Sequence, residues 1–437
     1  AYNREGYLSS KPQTCFYAYA PTEKGTGGRK KKSSSAKQVS LYAIVVGTSD
    51  YSGTSIDLKY ASKDATEFAH ALKLSGNCLF GPEQTHVVIL TTDKDSRTNS
   101  PEKDTIQKYI DWVAHKARPE DIVLVYFSGH GINYGGQDGD FYYITKDATA
   151  VSQGYLNDPF VKNKYAISST ELTLWMNKIS ARKKVLIFDA CASGKAAEVM
   201  LANVKEVPSS QIRAFERMKD RTGFYILAGS ASDAVSYETS IYGQGLLTYS
   251  LLKAMKGAYL RRDGGEEYVD IGMLLQYAVD EVPRLAKGIG GIQQPLFRSP
   301  SEQRSFDIGC MNAETKNLID IAEPKPIFCA TTLIDQKLKR DALKISEKVN
   351  NILRETPIKS MNSSYLFTDG IGYPNAYLIS GTYETTEQSV KIEFVITQND
   401  LLIGGPITVT ALKSELNILV KTIIQQAILA INKTNKS

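Results

Sequence analysis

Two stretches of the sequence each carry one side chain suited to acyl-transfer chemistry. The stretch "VLVYFSGHGI" holds His130 between two glycines, and "KVLIFDACASG" holds Cys191. A thiol attacks a carbonyl well only as a thiolate, and an imidazole is the usual base that removes its proton. Small neighbours leave room for a substrate and for backbone N–H groups that stabilise an oxyanion. We therefore expect a Cys–His dyad.

Each stretch alone has a simpler interpretation, namely a buried structural cysteine or an ordinary turn histidine. The pair is more specific because each residue follows an apolar run typical of a buried strand. The other histidines lie in predicted helices or begin a predicted strand: His70, His86 and His115. None has a carboxylate or cysteine at ligand spacing, so we expect no metal site there.

Apolar runs and amphipathic segments alternate along the region that must position the two side chains. The strand-like runs are "LYAIVVG", "HVVILTT", "DIVLVYFSG", "KKVLIFDA" and "GFYILAGSA". The segment "ISSTELTLWMNKIS" reads as a helix that opens on a capping box, "SSTE". Such alternation predicts an α/β fold whose mostly parallel sheet has helices on both faces. Sites in such sheets lie beyond the carboxyl ends of strands, where His130 and Cys191 both fall.

Changes of pattern divide the chain into three parts. Residues 1–40 read as a linker or tail because "TEKGTGGRKKKSSSAK" has almost nothing to bury. Residues 41–310 hold the alternating pattern. Residues 311–437 predict a small α+β domain with a helix, a hairpin and a final helix.

Composition excludes several classes of protein. The 437 residues carry a net charge of only +5, which does not favour nucleic acid as the main ligand. There is no run of about 18 apolar residues, so we expect no membrane span. The five cysteines are scattered, so we expect neither a disulfide framework nor a zinc site, and a reducing, cytoplasmic location. Because Ala1 is first, we expect upstream sequence to be missing.

From about Leu41 to Arg298 the chain resembles the caspase-like clan of cysteine peptidases (peptidase C14), and metacaspases and bacterial caspase-like proteins most closely. The stretches that carry the resemblance, in order, are "YAIVVGTSDY", "LKYASKDA", "VYFSGHG", "IFDACASG", "AGSASDAVSYE", "GLLTYSLL" and "QQPLFRS". The signature of animal caspases is absent. Ala192 also departs from many metacaspases, which have histidine there.

The resemblance implies a role for each residue at the strand ends. Cys191 is the expected nucleophile, and His130 is the expected general base that later protonates the leaving amine. The backbone N–H groups of Gly131 and Cys191 are the expected oxyanion hole.

The resemblance also implies a preference for basic residues in the substrate. In metacaspases, acidic residues at the positions of Asp64 and Asp189 line the primary pocket and select Arg or Lys. Two partly desolvated carboxylates favour a long cationic side chain. The alternatives are a helix-surface charge for Asp64 and a structural cap of the turn for Asp189.

The polar stretch after Cys191 matches a region where this clan often holds activation cleavage sites. The candidate processing residues there are Lys205, Arg213, Arg217, Lys219 and Arg221, with residues 29–32 as others. An uncleaved surface loop is the alternative. No cofactor is required by this chemistry, and calcium is left open because "NYGGQDGD" offers Asp138 and Asp140 without EF-hand spacing.

The last 100 or so residues faintly resemble the TolB amino-terminal-like domains, which predicts an interaction or sensing role. Our leading interpretation is a cysteine endopeptidase, self-processing and acting on peptides or proteins in a regulated prokaryotic defence or cell-death pathway. A regulatory protein or an upstream sensor domain is the expected partner. The alternatives are a catalytically silent scaffold that binds a partner, and an enzyme that acts on a non-peptide acyl group.

Overall fold

The computed structural model describes residues 38–92, 99–135, 139–191, 213–218, 224–229, 241–288, 293–300, 305–322, 324–359, 363–369 and 373–434. All of them lie in the second of two units into which the chain divides, Gln38–Ser437. Most of the predicted tail, including its basic run at 29–32, lies outside these ranges.

An eight-stranded, mostly parallel sheet forms the centre of the fold. Strands β2, β1, β3, β6 and β7 run parallel in that order, β10 pairs antiparallel with β7, and β4 joins β3 to β5. Their bounds are β1 Leu41–Gly47, β2 Thr85–Thr91, β3 Ile122–Tyr134, β4 Asp140–Ile144, β5 Ala166–Ser168, β6 Lys183–Cys191, β7 Tyr225–Ala228 and β10 Leu296–Arg298. The predicted sheet is confirmed.

Helices cover both faces of this sheet. They are α1 Ala61–Phe80, α2 Lys103–Lys116, α3 Gln153–Leu156, α4 Pro159–Tyr165, α5 Ser169–Asn177, α6 Leu246–Lys253 and α7 Ile271–Lys287. The predicted capping box is present at the start of α5, where Ser168 and Glu171 bond to each other's backbone N–H.

Strand β1 shows why the sheet strands read as continuous apolar runs. Leu41, Ala43 and Val45 pack into the core on one face, together with α1 and α6. The alternating residues pack into the core on the other face, together with α2 and α5: Tyr42, Ile44 and Val46. A strand buried on both faces needs apolar residues at every position.

A disulfide fastens α1 to a second sheet. That sheet is antiparallel and contains β8 Arg261–Asp263, β9 Glu266–Asp270 and β11 Asp307–Cys310. Cys78 near the end of α1 is bonded to Cys310, 232 residues away along the chain. The scattered cysteines predicted no disulfide framework, and this bond corrects that expectation for Cys78 and Cys310. Linear spacing gave no signal because packing of α1 on β11 brings the two residues together.

The carboxyl-terminal region builds its own seven-stranded sheet and core. Its strands are β12 Ile327–Phe328, β13 Thr332–Asp335, β14 Leu366–Phe367, β15 Tyr377–Thr385, β16 Ser389–Gln398, β17 Leu401–Leu402 and β18 Ile407–Leu412. Its helices are α9 Ile345–Lys359 and α10 Leu416–Thr434, whereas α8 Ala313–Leu318 precedes them and packs against α1 of the first region. The predicted α+β class of this region is confirmed. Ile319 and Ile327 belong to the core of the first region, so the boundary expected near 311 stays a prediction.

Within the part of the chain that the structure describes, one helical stretch, Lys413–Thr434, is long and apolar enough to cross a membrane by length and composition. Leu419, Ile423 and Ala427 on one of its faces are buried in the core of the carboxyl-terminal region. A core helix passes the same composition test, so this is weak evidence for a span.

Candidate active site

Strands β3 and β6 bring His130 and Cys191 together. The register of β3 with β1 ends at Ser128, whereas its register with β6 continues to the pair His130 and Cys191. Neighbouring strands lie about 5 Å apart. The backbones of the two predicted catalytic residues are therefore adjacent at the carboxyl edge of the sheet. The side chain of Cys191 lies outside the described part of the structure.

The His130 ring is held in one orientation by a backbone carbonyl. Its Nε2 lies 2.7 Å from the carbonyl oxygen of Ile56, in a short 3₁₀ turn after β1. A carbonyl oxygen only accepts, so Nε2 carries the proton in the neutral ring and Nδ1 is the nitrogen that can take one up. Burial lowers the pKa of His130, while the Ile56 carbonyl and the charge of Asp57 raise it. The balance favours the neutral ring, which is the form a base needs.

Tyr51 supports the backbone of the same histidine. Its hydroxyl accepts a hydrogen bond from the His130 N–H at 2.9 Å, and its ring lies against the imidazole. Gly129 has a φ of +152°, and a Cβ there would lie 2.9 Å from the hydroxyls of Tyr51 and Tyr143. Glycine at this position lets both tyrosines approach the turn.

Sequence reasoning missed Tyr51 and Ile56. Both lie in the loop after β1, beyond the carboxyl end of a central strand. That location was a usable signal, because sites of parallel sheets gather there. Their contacts could not be foreseen, because Ile56 and His130 are 74 residues apart.

Asp64 and Asp189 converge on one glycine. Asp64 lies in the first turn of α1 and is buried, and Asp189 lies near the end of β6 and is partly exposed. A Cβ on Gly245 would lie 2.8 Å from Oδ2 of Asp64 and 3.0 Å from Oδ2 of Asp189. The two oxygens are thus within about 6 Å of each other. The structure brings the two predicted pocket residues together.

Hydrogen bonds hold both carboxylates in place. The N–H of Gly245 lies 3.1 Å from both oxygens of Asp64. The Thr248 hydroxyl donates to Asp189 at 2.6 Å, and the Tyr126 hydroxyl lies 2.6 Å from that of Thr248. Since the single hydroxyl proton of Thr248 goes to Asp189, the Tyr126 hydroxyl shares its own proton between the Thr248 oxygen and the same Asp189 oxygen, which lies 3.4 Å away.

The pKa values of the pair show its electrostatic state. Burial raises the pKa of Asp64 well above its usual value, the charge of Asp189 raises it further, and the N–H of Gly245 lowers it. Enclosure by protein raises the pKa of Asp189, while the bonds from Thr248 and Tyr126 lower it. Two such carboxyl groups side by side oppose each other's ionisation, and a cation between them would favour both charges.

Two of the candidate processing residues lie in a helical turn at 213–218. Between Arg213 and Arg217 the side chain of Phe215 is fully buried, and the Arg217 guanidinium donates to the carbonyl of Gly139 at 2.6 Å. This anchoring weighs against cleavage at these two residues. The remaining candidates lie outside the described residues: Lys205, Lys219 and Arg221.

The acidic stretch considered for calcium is only partly described. Asp138 lies outside the described ranges, and Asp140 accepts hydrogen bonds from the hydroxyls of Ser169 and Thr170 at the start of α5. Within the described residues, no cluster of three or more His, Cys, Asp or Glu side chains could hold a metal. Calcium dependence stays open.

Comparison with known proteins gives a family match and distant relatives. The caspase domain model (peptidase C14) matches residues 40–307. Metacaspase-1 of Debaryomyces hansenii is 24% identical over 36% of this chain and 33% of its own length. Inactive metacaspase-4 of Trypanosoma brucei brucei is 38% identical over 13% of this chain and 16% of its own. The first of these alignments thus spans about a third of the relative.

Among solved structures, caspase-1 from Spodoptera frugiperda aligns with 63% of this chain and 92% of its own length. The identity is 13% and the TM-score is 0.34.

Proposed function

The chain belongs to the caspase domain (peptidase C14) family and is related to metacaspases, and from that premise we propose that it is a cysteine endopeptidase that cleaves after Arg or Lys. The observation that carries the proposal is the register that makes His130 and Cys191 neighbours on β3 and β6. No other histidine lies at this edge of the sheet among the described residues.

The proposed chemistry uses the two residues in turn. Nδ1 of His130 takes the proton from the Cys191 thiol, and the thiolate attacks the substrate carbonyl carbon. The tetrahedral oxyanion is stabilised by the N–H groups of Gly131 and Cys191. Protonated His130 then gives its proton to the leaving amine as the C–N bond breaks. Water, deprotonated by His130, hydrolyses the thioester and restores the thiol.

Asp64 and Asp189 support the proposed preference for basic residues. Their carboxylates lie close together, and Asp189 is the partly exposed one, so we propose that the substrate side chain enters from the side of Asp189. A guanidinium or ammonium group relieves the repulsion between the two charges and fills their acceptor capacity. An acidic side chain would add a third negative charge to this space.

The rival function is a scaffold that binds a partner without chemistry, and one relative is named as inactive. A scaffold has no need of a histidine ring fixed by the Ile56 carbonyl beside a cysteine. An enzyme acting on a non-peptide acyl group would use the same dyad, but the carboxylate pair favours a cationic peptide residue. These alternatives predict different substrates, so they can be separated by experiment.

The test is turnover of fluorogenic peptides ending in Arg, Lys, Asp or Leu, with and without calcium, by the full chain and by its Cys191→Ala variant. We expect Arg and Lys peptides to be cut and the variant to be silent. Cleavage of the Asp peptides alone would refute the proposed pocket. Cleavage that survives in the variant would refute the proposed nucleophile.

The wider role rests on family resemblance. We propose self-processing, participation in a prokaryotic defence or cell-death pathway, and regulation by flanking regions or a partner protein. The cytoplasmic location stays a prediction, and the disulfide between Cys78 and Cys310 weighs against a reducing compartment. The resemblance of the carboxyl-terminal region to TolB amino-terminal-like domains likewise stays a prediction.

A further inference from the structure

We propose that Gly245 determines specificity: the side chain it lacks keeps open the space between Asp64 and Asp189 that admits the cationic end of an Arg or Lys side chain. This inference rests on the proposed function and extends it to a residue outside the dyad and the acidic pair.

The backbone of Gly245 does not itself require glycine. Its φ of −64° and ψ of 140° are extended values that any residue adopts. The restriction comes from space, because an added Cβ would lie 3.0 Å or less from an oxygen of each carboxylate. Glycine is therefore needed here because any side chain would displace the carboxylates of Asp64 and Asp189.

The two carboxylates cannot easily move aside for a methyl group. Asp64 receives the N–H of Gly245 on both of its oxygens. Asp189 receives the hydroxyl of Thr248 on the same oxygen that the methyl would meet. Rotation of either side chain gives up these charge-assisted bonds in a largely buried site.

The position of Gly245 relative to Asp64 is fixed by contacts with α1. Lys63 donates to the carbonyl of Gly243 at 2.7 Å, and Gln244 donates to Glu67. With the bond from Gly245 to Asp64, three successive residues each meet a side chain of α1. The segment is thus clamped, and a methyl group cannot be relieved by a simple shift of the backbone.

The first turn of α6, which starts after Gly245, adds a favourable field. The N–H of Thr248 lies 3.3 Å from Asp189, and the N–H of Gly245 bonds to Asp64. Helix amino termini carry partial positive charge, which stabilises both carboxylates without occupying the space between them. Asp189 keeps some exposure to solvent, whereas Asp64 is buried.

A matched control lies beside the same pair. A Cβ on Gly229 would lie 3.6 Å from Oδ1 of Asp189 and 3.5 Å from the carbonyl of Phe188, which are ordinary contacts. Gly229→Ala therefore adds the same methyl group next to Asp189 without entering the space between the carboxylates.

The experiment compares Gly245→Ala and Gly229→Ala in the full chain. We expect Gly245→Ala to lower kcat/KM for Arg and Lys peptides by about 100-fold. This is the effect expected when one or two charge-assisted hydrogen bonds to the substrate are lost. We expect Gly229→Ala to stay within about threefold. The rate of Cys191 alkylation by iodoacetamide, which does not use the pocket, should be unchanged in both. Wild-type turnover of the Arg peptide by Gly245→Ala would overturn the proposal.

A binding measurement separates this proposal from the proposed catalysis. Benzamidine carries an amidinium group, and calorimetry measures its binding to the Cys191→Ala variant without any turnover. We expect binding that Gly229→Ala preserves and Gly245→Ala weakens by about tenfold or more. The role of Gly245 is refuted if benzamidine does not bind Cys191→Ala at all. It is also refuted if adding Gly245→Ala to that variant leaves the affinity for benzamidine unchanged. Binding with this pattern but no peptide cleavage would refute the peptidase alone.

Discussion

His130 and Cys191 are register partners at the point where the parallel pairing of β3 with β6 ends. The pairing is a property of the backbone, so it holds whatever rotamers the two side chains adopt. The ring of His130 is fixed by the Ile56 carbonyl. A base with one nitrogen occupied and the other available, beside a cysteine, is the arrangement that thiol activation requires.

The pH profile of activity should follow the lowered pKa of His130. Burial lowers this pKa below its usual value of 6.5, so protonation of the ring needs more acid than usual. We expect kcat for an Arg peptide, measured at saturating substrate so that the bound cation keeps Asp64 and Asp189 ionised, to stay constant as the pH falls through 6.5 and to drop only at lower pH. Initial rates between about pH 4.5 and 8 measure it. A midpoint at or above 6.5 would contradict the described environment of the ring.

Removing the Tyr51 hydroxyl should destabilise the part of β3 that carries His130. In Tyr51→Phe the buried N–H of His130 loses its acceptor, so we expect the free energy of unfolding to fall by about 1–3 kcal/mol. Urea unfolding measures the change. Tyr134→Phe is the control, because its hydroxyl bonds to Asn157 at an exposed position. If the free energy of unfolding falls equally in both variants, the hydrogen bond to His130 does not contribute more to stability than an exposed one.

Thr248 should act as a positioning residue for Asp189. In Thr248→Val the carboxylate loses its shortest hydrogen bond, and we expect KM for Arg peptides to rise about tenfold with a smaller change in kcat. Thr248→Ser keeps the hydroxyl and should restore KM. If Ser and Val behave alike, the hydroxyl does not hold Asp189.

The disulfide should contribute strongly to stability. Cys78→Ser opens a loop closed across 232 residues, and we expect a loss of about 2–5 kcal/mol in the free energy of unfolding. Thermal unfolding with and without dithiothreitol provides a second readout on the wild-type chain. Cys329→Ser is the control, because Cys329 is free. If dithiothreitol leaves the Tm of the wild-type chain unchanged, the disulfide between Cys78 and Cys310 is contradicted.

The sequence predicted the features that depend on local pattern. The apolar run of β1 predicted a strand buried on both faces, and "SSTE" predicted the capping box at Ser168. The small residues beside His130 and Cys191 located both positions, but the prediction that both lie in turns after strands is wrong: His130 lies inside β3, and Cys191 is the last residue of β6. Each of these signals lies within about ten neighbouring residues, where periodicity and capping rules apply.

The features that the sequence did not predict depend on packing between distant segments. Gly245 meets Asp64 across 181 residues, and Thr248 meets Asp189 across 59. The neighbouring sequence does not distinguish Gly245 from other glycines. Its proposed role depends on the two carboxylates that a side chain at this position would contact. Cys78 and Cys310 were likewise joined by the packing of a helix on a strand.

The central claim is that Cys191, activated by His130, attacks a substrate whose cleaved residue is basic. The most direct measurement is covalent labelling by a peptidyl-arginine acyloxymethyl ketone and its aspartate counterpart, mapped by mass spectrometry. We predict a single label on Cys191 with the arginine reagent, slowed by about 100-fold or more in His130→Ala. Equal labelling of Cys191 and Cys329, or faster reaction with the aspartate reagent, would contradict the account.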